Sequence, residues 1–262
     1  MRNTDVQPII RGEGEPILLL HGVISDASFF SDFASFLSSR YRTVAYDRAG
    51  YGDQPEPDDR SAYTVSAQAE TAAEVVREYC GDRAWIFGNS AGSMIALELY
   101  RIHPELVRGL ILLEPSIALD PDSEEELRGW NAELNAYFRE ARIKKALPAF
   151  ARVTGKTGSF GGSFQEMKRT YKNLHNFMFG ELNEVQNYRP EEAFFQSVSV
   201  PVRIVLTEDG AGRLFGKTSE RAAERLNWKT SYFPGGHNAV SELPGPCAEI
   251  LIGILEEMKH AG

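Results

Sequence analysis

Residues 84–94 read "AWIFGNSAGSM", and the reading of this stretch decides the fold. Four apolar residues run into Gly88-Asn89-Ser90-Ala91-Gly92, a G-x-S-x-G pattern, and a helical spacing of Met94, Leu97 and Tyr100 follows at once. A strand that turns this sharply into a helix needs the flanking glycines, because two backbones must pass close to a tight, strained turn. The serine is thereby lifted off the sheet edge onto a helix N-terminus, where the dipole favours developing negative charge. A bare G-x-S-x-G is common by chance; one lying between a strand and a helix is far more specific. Ser90 is the candidate nucleophile.

Outward from this turn, short apolar runs recur at intervals that leave room for a helix: "PILLL" at 16–20, "RTVAY" at 42–46, "LILL" at 110–113 and "VRIVL" at 202–206. Such runs, alternating with helical patterns, predict an α/β fold with a mostly parallel sheet covered by helices on both faces. One helical face is predicted over 27–39 from Phe29, Phe30, Phe33, Phe36 and Leu37, and another over 66–80 from Ala72, Val75, Val76 and Tyr79. The rhythm breaks between 117 and 198, where amphipathic helical sequence surrounds the Gly-rich joint "GKTGSFGGS". Strand pattern resumes at Pro201, so this stretch is a helical lid inserted in one core made of residues 1–116 and 199–262. The insertion holds 12 of the chain's 28 aromatic residues. Most of them pack the lid onto the sheet; roughly a quarter are expected to face an apolar pocket, since few residues line such sites.

A serine nucleophile needs a base. Of the five histidines, His237 follows a short strand and the turn Pro234-Gly235-Gly236, whereas His103 ends a helix, His175 falls in the lid pattern and His260 in the tail. His237 is the candidate base. "LLLHGV" ends its strand in His21-Gly22, so the N–H of Val23 can approach the serine from one side and that of Ala91 from the other, as an oxyanion hole. His21 itself shapes that loop. A third member must hold the imidazole in its tautomer. Glu114 ends the apolar run "LILLE", where a carboxylate costs several kcal/mol unless paired. It belongs at the carboxyl edge of the sheet beside Ser90, where catalytic groups gather in open α/β sheets.

The order "HGV", "YDRAGYGD", "GNSAGS", an acid and "PGGHN", with a helical insertion before the last two strands, resembles the α/β-hydrolase superfamily over essentially the whole chain. Within it the nearest look is to small ester and lactone hydrolases, the zearalenone-lactonase-like group among them. The resemblance implies that Asp47, Arg48, Gly50 and Gly52 form a structural turn. It also raises a rival acid, because most of the family place it after the strand "VRIVL", where Asp209 stands. The usual glycine-x-x-acid pattern is missing there: Thr207 replaces the glycine and Gly210 falls where the acid would be. Little sequence precedes "PILLL", so the family's first strand is expected to be missing.

The implied activity is hydrolysis of a carboxylic ester or lactone of a small, largely apolar substrate through an acyl-enzyme. A carbon–carbon bond hydrolase or amidase would use the same triad, and a ligand-binding, non-enzymatic member of the fold could retain it. A serine at this turn disfavours the alkyl-enzyme chemistry of dehalogenases and epoxide hydrolases. No cofactor and no metal are implied: Cys80 and Cys247 have no ligand spacing. "AGRLFGKT" at 211–218 fits a relaxed P-loop, but Ala211 replaces the first glycine and too little chain follows for phosphoryl transfer. A net charge of −9 with dispersed Lys and Arg argues against nucleic-acid and anionic-membrane partners. With no apolar leader and no apolar window of spanning length, the expected location is the cytoplasm.

Overall fold

The apolar runs become strands because each is buried from both sides. In the computed structural model of the chain, which describes residues 6–154 and 163–260, β1 (Ile9–Arg11) and β2 (Glu15–Leu20) lead to α1 (Ser31–Leu37), and β3 (Tyr41–Ala45) to α2 (Val65–Tyr79). Next come β4 (Ala84–Asn89), α3 (Ala91–Ile102) and β5 (Val107–Leu113). The helical segment then holds α4 (Pro121–Arg139), α5 (Ala146–Thr154), α6 (Phe164–Asn176), a π-helical turn (Phe177–Glu181), α7 (Leu182–Asn187) and α8 (Glu192–Gln196). The chain closes with β6 (Val202–Thr207), α9 (Leu214–Leu226), β7 (Lys229–Phe233), α10 (Ala239–Glu242) and α11 (Pro244–Lys259). The Gly-rich joint and Phe160 lie outside the described residues.

Among the described residues one seven-stranded sheet runs in the order β1-β3-β2-β4-β5-β6-β7. All neighbours are parallel except β1, which pairs antiparallel with β3 through Ile10 opposite Val44. This strand stands at the edge of the sheet ahead of the first apolar run. Three residues suffice, because at an edge the strand needs only one partner. Alternate residues of the central strands enter two cores: Leu110 and Leu112 pack with α2, α3 and α9, while Ile111 and Leu113 pack with α1 and α11. A third cluster, built on Leu127, Trp130, Leu134 and Phe177, joins the helical segment to Tyr51 and Phe215 of the sheet domain.

The single helical face expected over 27–39 is not formed. Ala27–Phe30 is a 3₁₀ turn, which rotates at three residues per turn, so the period changes at Ser31. Phe30, Phe33 and Leu37 are buried, whereas Phe36 is 55% exposed and lies over Gly245. Residues 214–218 of the P-loop-like stretch open an ordinary helix, α9, with Thr218 fully buried. No helix among the described residues is long and apolar enough to cross a membrane.

Candidate active site

Ser90 sits at the junction of β4 and α3 with φ 54° and ψ −120°, outside the regions that ordinary residues occupy, as the strained turn requires. The glycines around it are explained by space. A Cβ on Gly92 would lie 2.1 Å from the Leu20 carbonyl oxygen, and one on Gly88 would lie 2.5 Å from Cα of Ser93. The Ser90 N–H donates to the Leu113 carbonyl at 2.9 Å, which ties the turn to the end of β5.

Glu114 follows that strand directly, in the left-handed region at φ 42°, and is 1% exposed. Its partners answer the question a buried carboxylate poses. Oε2 lies 2.5 Å from Nδ1 of His237, and Oε1 accepts from the Thr207 N–H at 3.0 Å and the Thr207 hydroxyl at 2.5 Å. Burial alone would push the Glu114 carboxyl up, but the bond and charge of His237 and the two bonds from Thr207 outweigh it and hold the carboxyl below its ordinary value. A carboxylate held on Nδ1 leaves the other ring nitrogen, Nε2, to take a proton.

The two acids that the sequence set against each other are thus separated. Asp209 has an exposed side chain, and its backbone is what the fold uses: its N–H donates to the Gly235 carbonyl and its carbonyl accepts from Arg213. Gly210, at the position where the family's usual acid would fall, has Glu114 in its place. A Cβ there would lie 2.1 Å from Oε1 of Glu114 and 2.3 Å from the Thr207 hydroxyl. The two departures from the family pattern, Thr207 and Gly210, are the donor to Glu114 and the space it occupies.

His237 is carried by the loop between β7 and α10, where Gly235 takes φ 80°. The loop is fixed from both sides, by the Asp209 N–H on Gly235 and by the bond from the His237 N–H to the Thr154 carbonyl at the end of α5. Ser90 and His237 line one cavity together with Gly22, Val23 and Asn89. Ser90, Val23 and Ala91 also line a second cavity. Its walls include Leu127, Trp130, Leu134, Phe177 and Leu182, and Phe150 borders both spaces. Among the described residues, Trp130, Phe150 and Phe177 are therefore the aromatics of the helical segment that face this site. Ala91, as the first residue of α3, has an N–H without an intrahelical acceptor.

His21 is buried. It pairs Nδ1 with the Gly22 carbonyl at 2.8 Å and accepts the Arg48 N–H on Nε2 at 3.1 Å. Burial and the Arg48 charge push its pKa down to about 3, so it is a neutral strut of the loop. Asp47 accepts from the Ala27 and Asp53 N–H groups, and Arg48 reaches the carbonyls of His21 and Gly22. Sequence reasoning missed the buried partner of Arg48, Glu181 in the π-helical turn, which also meets Gln68 and Tyr51. The available signal was the one that marked Glu114: in "FMFGEL" a glutamate stands among apolar residues.

Cys80 and Cys247 are buried and unbridged, and burial pushes each thiol up to about 12, which leaves them unreactive. Among the described residues no cluster of His, Cys, Asp or Glu could hold a metal ion.

A family model described as the alpha/beta hydrolase fold matches residues 15–195. The chain belongs to the α/β-hydrolase family. It is 28% identical over 257 residues to a protein of Bacillus subtilis named as the uncharacterized hydrolase YraK, covering 96% of this chain and 93% of that one. Among solved structures it is similar to a thermophilic esterase from Thermogutta terrifontis, with TM-score 0.74, 17% identity and 97% and 93% of the two chains covered. It is also similar to Est816, described as an N-acyl homoserine lactone degrading enzyme, with TM-score 0.75, 19% identity and 95% and 96% covered. At these identities the structural likenesses speak for the fold.

Proposed function

We propose that the protein is a serine hydrolase that cleaves a carboxylic ester or lactone of a small, largely apolar substrate through an acyl-enzyme. The observation that carries this reading is the 2.5 Å contact of Glu114 with Nδ1 of His237, made by a histidine that shares a cavity with Ser90. Ser90 Oγ attacks the scissile carbonyl while Nε2 of His237 takes its proton. The oxyanion is met by the N–H groups of Val23 and Ala91, and Glu114 stabilises the imidazolium. His237 then gives its proton to the leaving oxygen. A water, deprotonated by the same nitrogen, attacks the acyl-enzyme, and the acid departs with Ser90 restored. The ester or lactone bond is favoured by the structural neighbours, an esterase and an N-acyl homoserine lactone degrading enzyme. The helices of residues 117–198 serve as the lid, and its apolar inner wall receives the acyl side.

A fluorophosphonate probe tests the nucleophile. Labelling of the wild type that disappears in Ser90→Ala is expected, together with a loss of roughly 10⁴- to 10⁶-fold in kcat on any working substrate. Labelling that persists in Ser90→Ala overturns the reading. A panel of aryl esters, lactones, amides and carbon–carbon substrates then identifies the bond cleaved.

A further inference from the structure

The lining of the second cavity beside Ser90 is mostly apolar, with Ser116 among its polar members. Asn131 of α4, Gln186 of α7 and Arg189 also reach it. Arg189 is the single charged residue among the described residues lining this cavity, in a chain whose net charge is −9. Its recorded bond is to the Tyr188 carbonyl at 2.7 Å, and among the described residues no carboxylate lies within ion-pair distance of it. Glu98, which borders the outer groove that Arg189 also lines, is committed to Arg101, Ser66 and Tyr188. Glu124 acts on Arg189 only at longer range, and burial still holds the guanidinium below its ordinary pKa. Arg189 is an exposed residue that borders both spaces. Pro190 restricts the Arg189 backbone to extended conformations, which steadies the side chain's origin. The side chain of Asn131 likewise has no recorded partner among the described residues, whereas Gln186 is taken by Asn135 and the Asn131 carbonyl.

A guanidinium and an amide without a side-chain partner border the same largely apolar cavity as Ser90, a set of groups that matches a carboxylate joined to the scissile carbonyl through an apolar spacer. We propose that the substrate is an anionic ester or lactone whose acyl side carries a terminal carboxylate bound by Arg189 and Asn131. This inference rests on the serine-hydrolase reading and names its substrate class.

The test compares mono-4-nitrophenyl esters of linear dicarboxylic acids with their methyl-capped neutral counterparts. For wild type, kcat/KM is expected to favour the free acid by about tenfold to a hundredfold, the range of a charge-assisted bond. In Arg189→Gln that ratio should fall to near one, and in Asn131→Leu it should fall partway. The ratio, rather than either rate, is the readout. A wild-type ratio near or below one, or a ratio that survives in Arg189→Gln, overturns the proposal while the hydrolase reading stands. A second measurement needs no turnover: thermal stabilisation by linear dicarboxylates over the matching diamides, present in wild type and lost in Arg189→Gln. Its absence overturns the carboxylate site. Its presence without labelling of Ser90 upholds the site and overturns the hydrolase reading.

Discussion

A methyl group on Gly210 would press on the Glu114 carboxylate, although the backbone at 210 is not in the left-handed region that favours glycine. The glycine is there for room. Gly210→Ala should therefore leave the chain folded but displace the acid, lowering kcat by at least about tenfold, as losses of supporting contacts do. Activity together with circular dichroism checks this. Glu114→Gln should lower kcat by roughly 10³- to 10⁴-fold, through loss of the correct tautomer and of imidazolium stabilisation. Asp209→Asn should change it little; the reverse result would return the acid to its commoner place. These residues were legible because a carboxylate at the end of a buried run demands a partner, and Thr207 and Gly210 departed from the family pattern. Arg189 and Asn131 were not legible, because an arginine in polar helical sequence looks the same whether it faces solvent or a cavity.

At the scale of elements, α6 is fastened to the loops at the carboxyl end of the sheet. Asn173, 2% exposed, accepts the Gly52 N–H and donates to Asp26, while Lys172 donates to the Gly52 and Gln54 carbonyls. Arg169 adds an ion pair to the buried Asp26. Asn173→Ala leaves the buried Gly52 N–H unpaired and removes one of the donors to Asp26, and should cost about 1–3 kcal/mol, the penalty of an unmet buried hydrogen bond; urea denaturation measures it. KM should rise in the same variant if α6 holds the roof of the cavity in register. The strand–helix alternation was legible from apolar runs, since strands buried on both faces leave no room for polar residues. The three-residue β1 was not, because an exposed edge strand carries no such pattern. The change of period at Ser31 was also hidden, for a 3₁₀ turn uses the same residues as an α-helical one.

For the whole molecule, His21 couples stability to acidity. Folded, it stays neutral down to about pH 3; unfolded, it takes a proton near its ordinary value of 6.5. The unfolded state therefore binds more protons between these limits, and stability falls as pH falls. The contribution is roughly 1.4 kcal/mol per pH unit. Glu114, whose carboxyl is held low, adds a further loss once pH drops below the carboxylate range. Denaturation at pH 7.5, 6 and 5 should show the decline beginning above pH 5, and His21→Gln should flatten that early part.

The Glu114 carboxylate is met by groups that lie 93 and 123 residues further along the chain. During synthesis from the N-terminus, β5 and the Ser90 turn can assemble while Thr207 and His237 are still unmade. A strand ending in an unpaired carboxylate cannot bury that end. The edge of the sheet that carries Glu114 must stay hydrated until β6 and the loop after β7 arrive. On the proposed reading, Ser90 gains its base and acid only after the loop beyond β7 has been made, and a polypeptide halted before that loop would hold Ser90 without them.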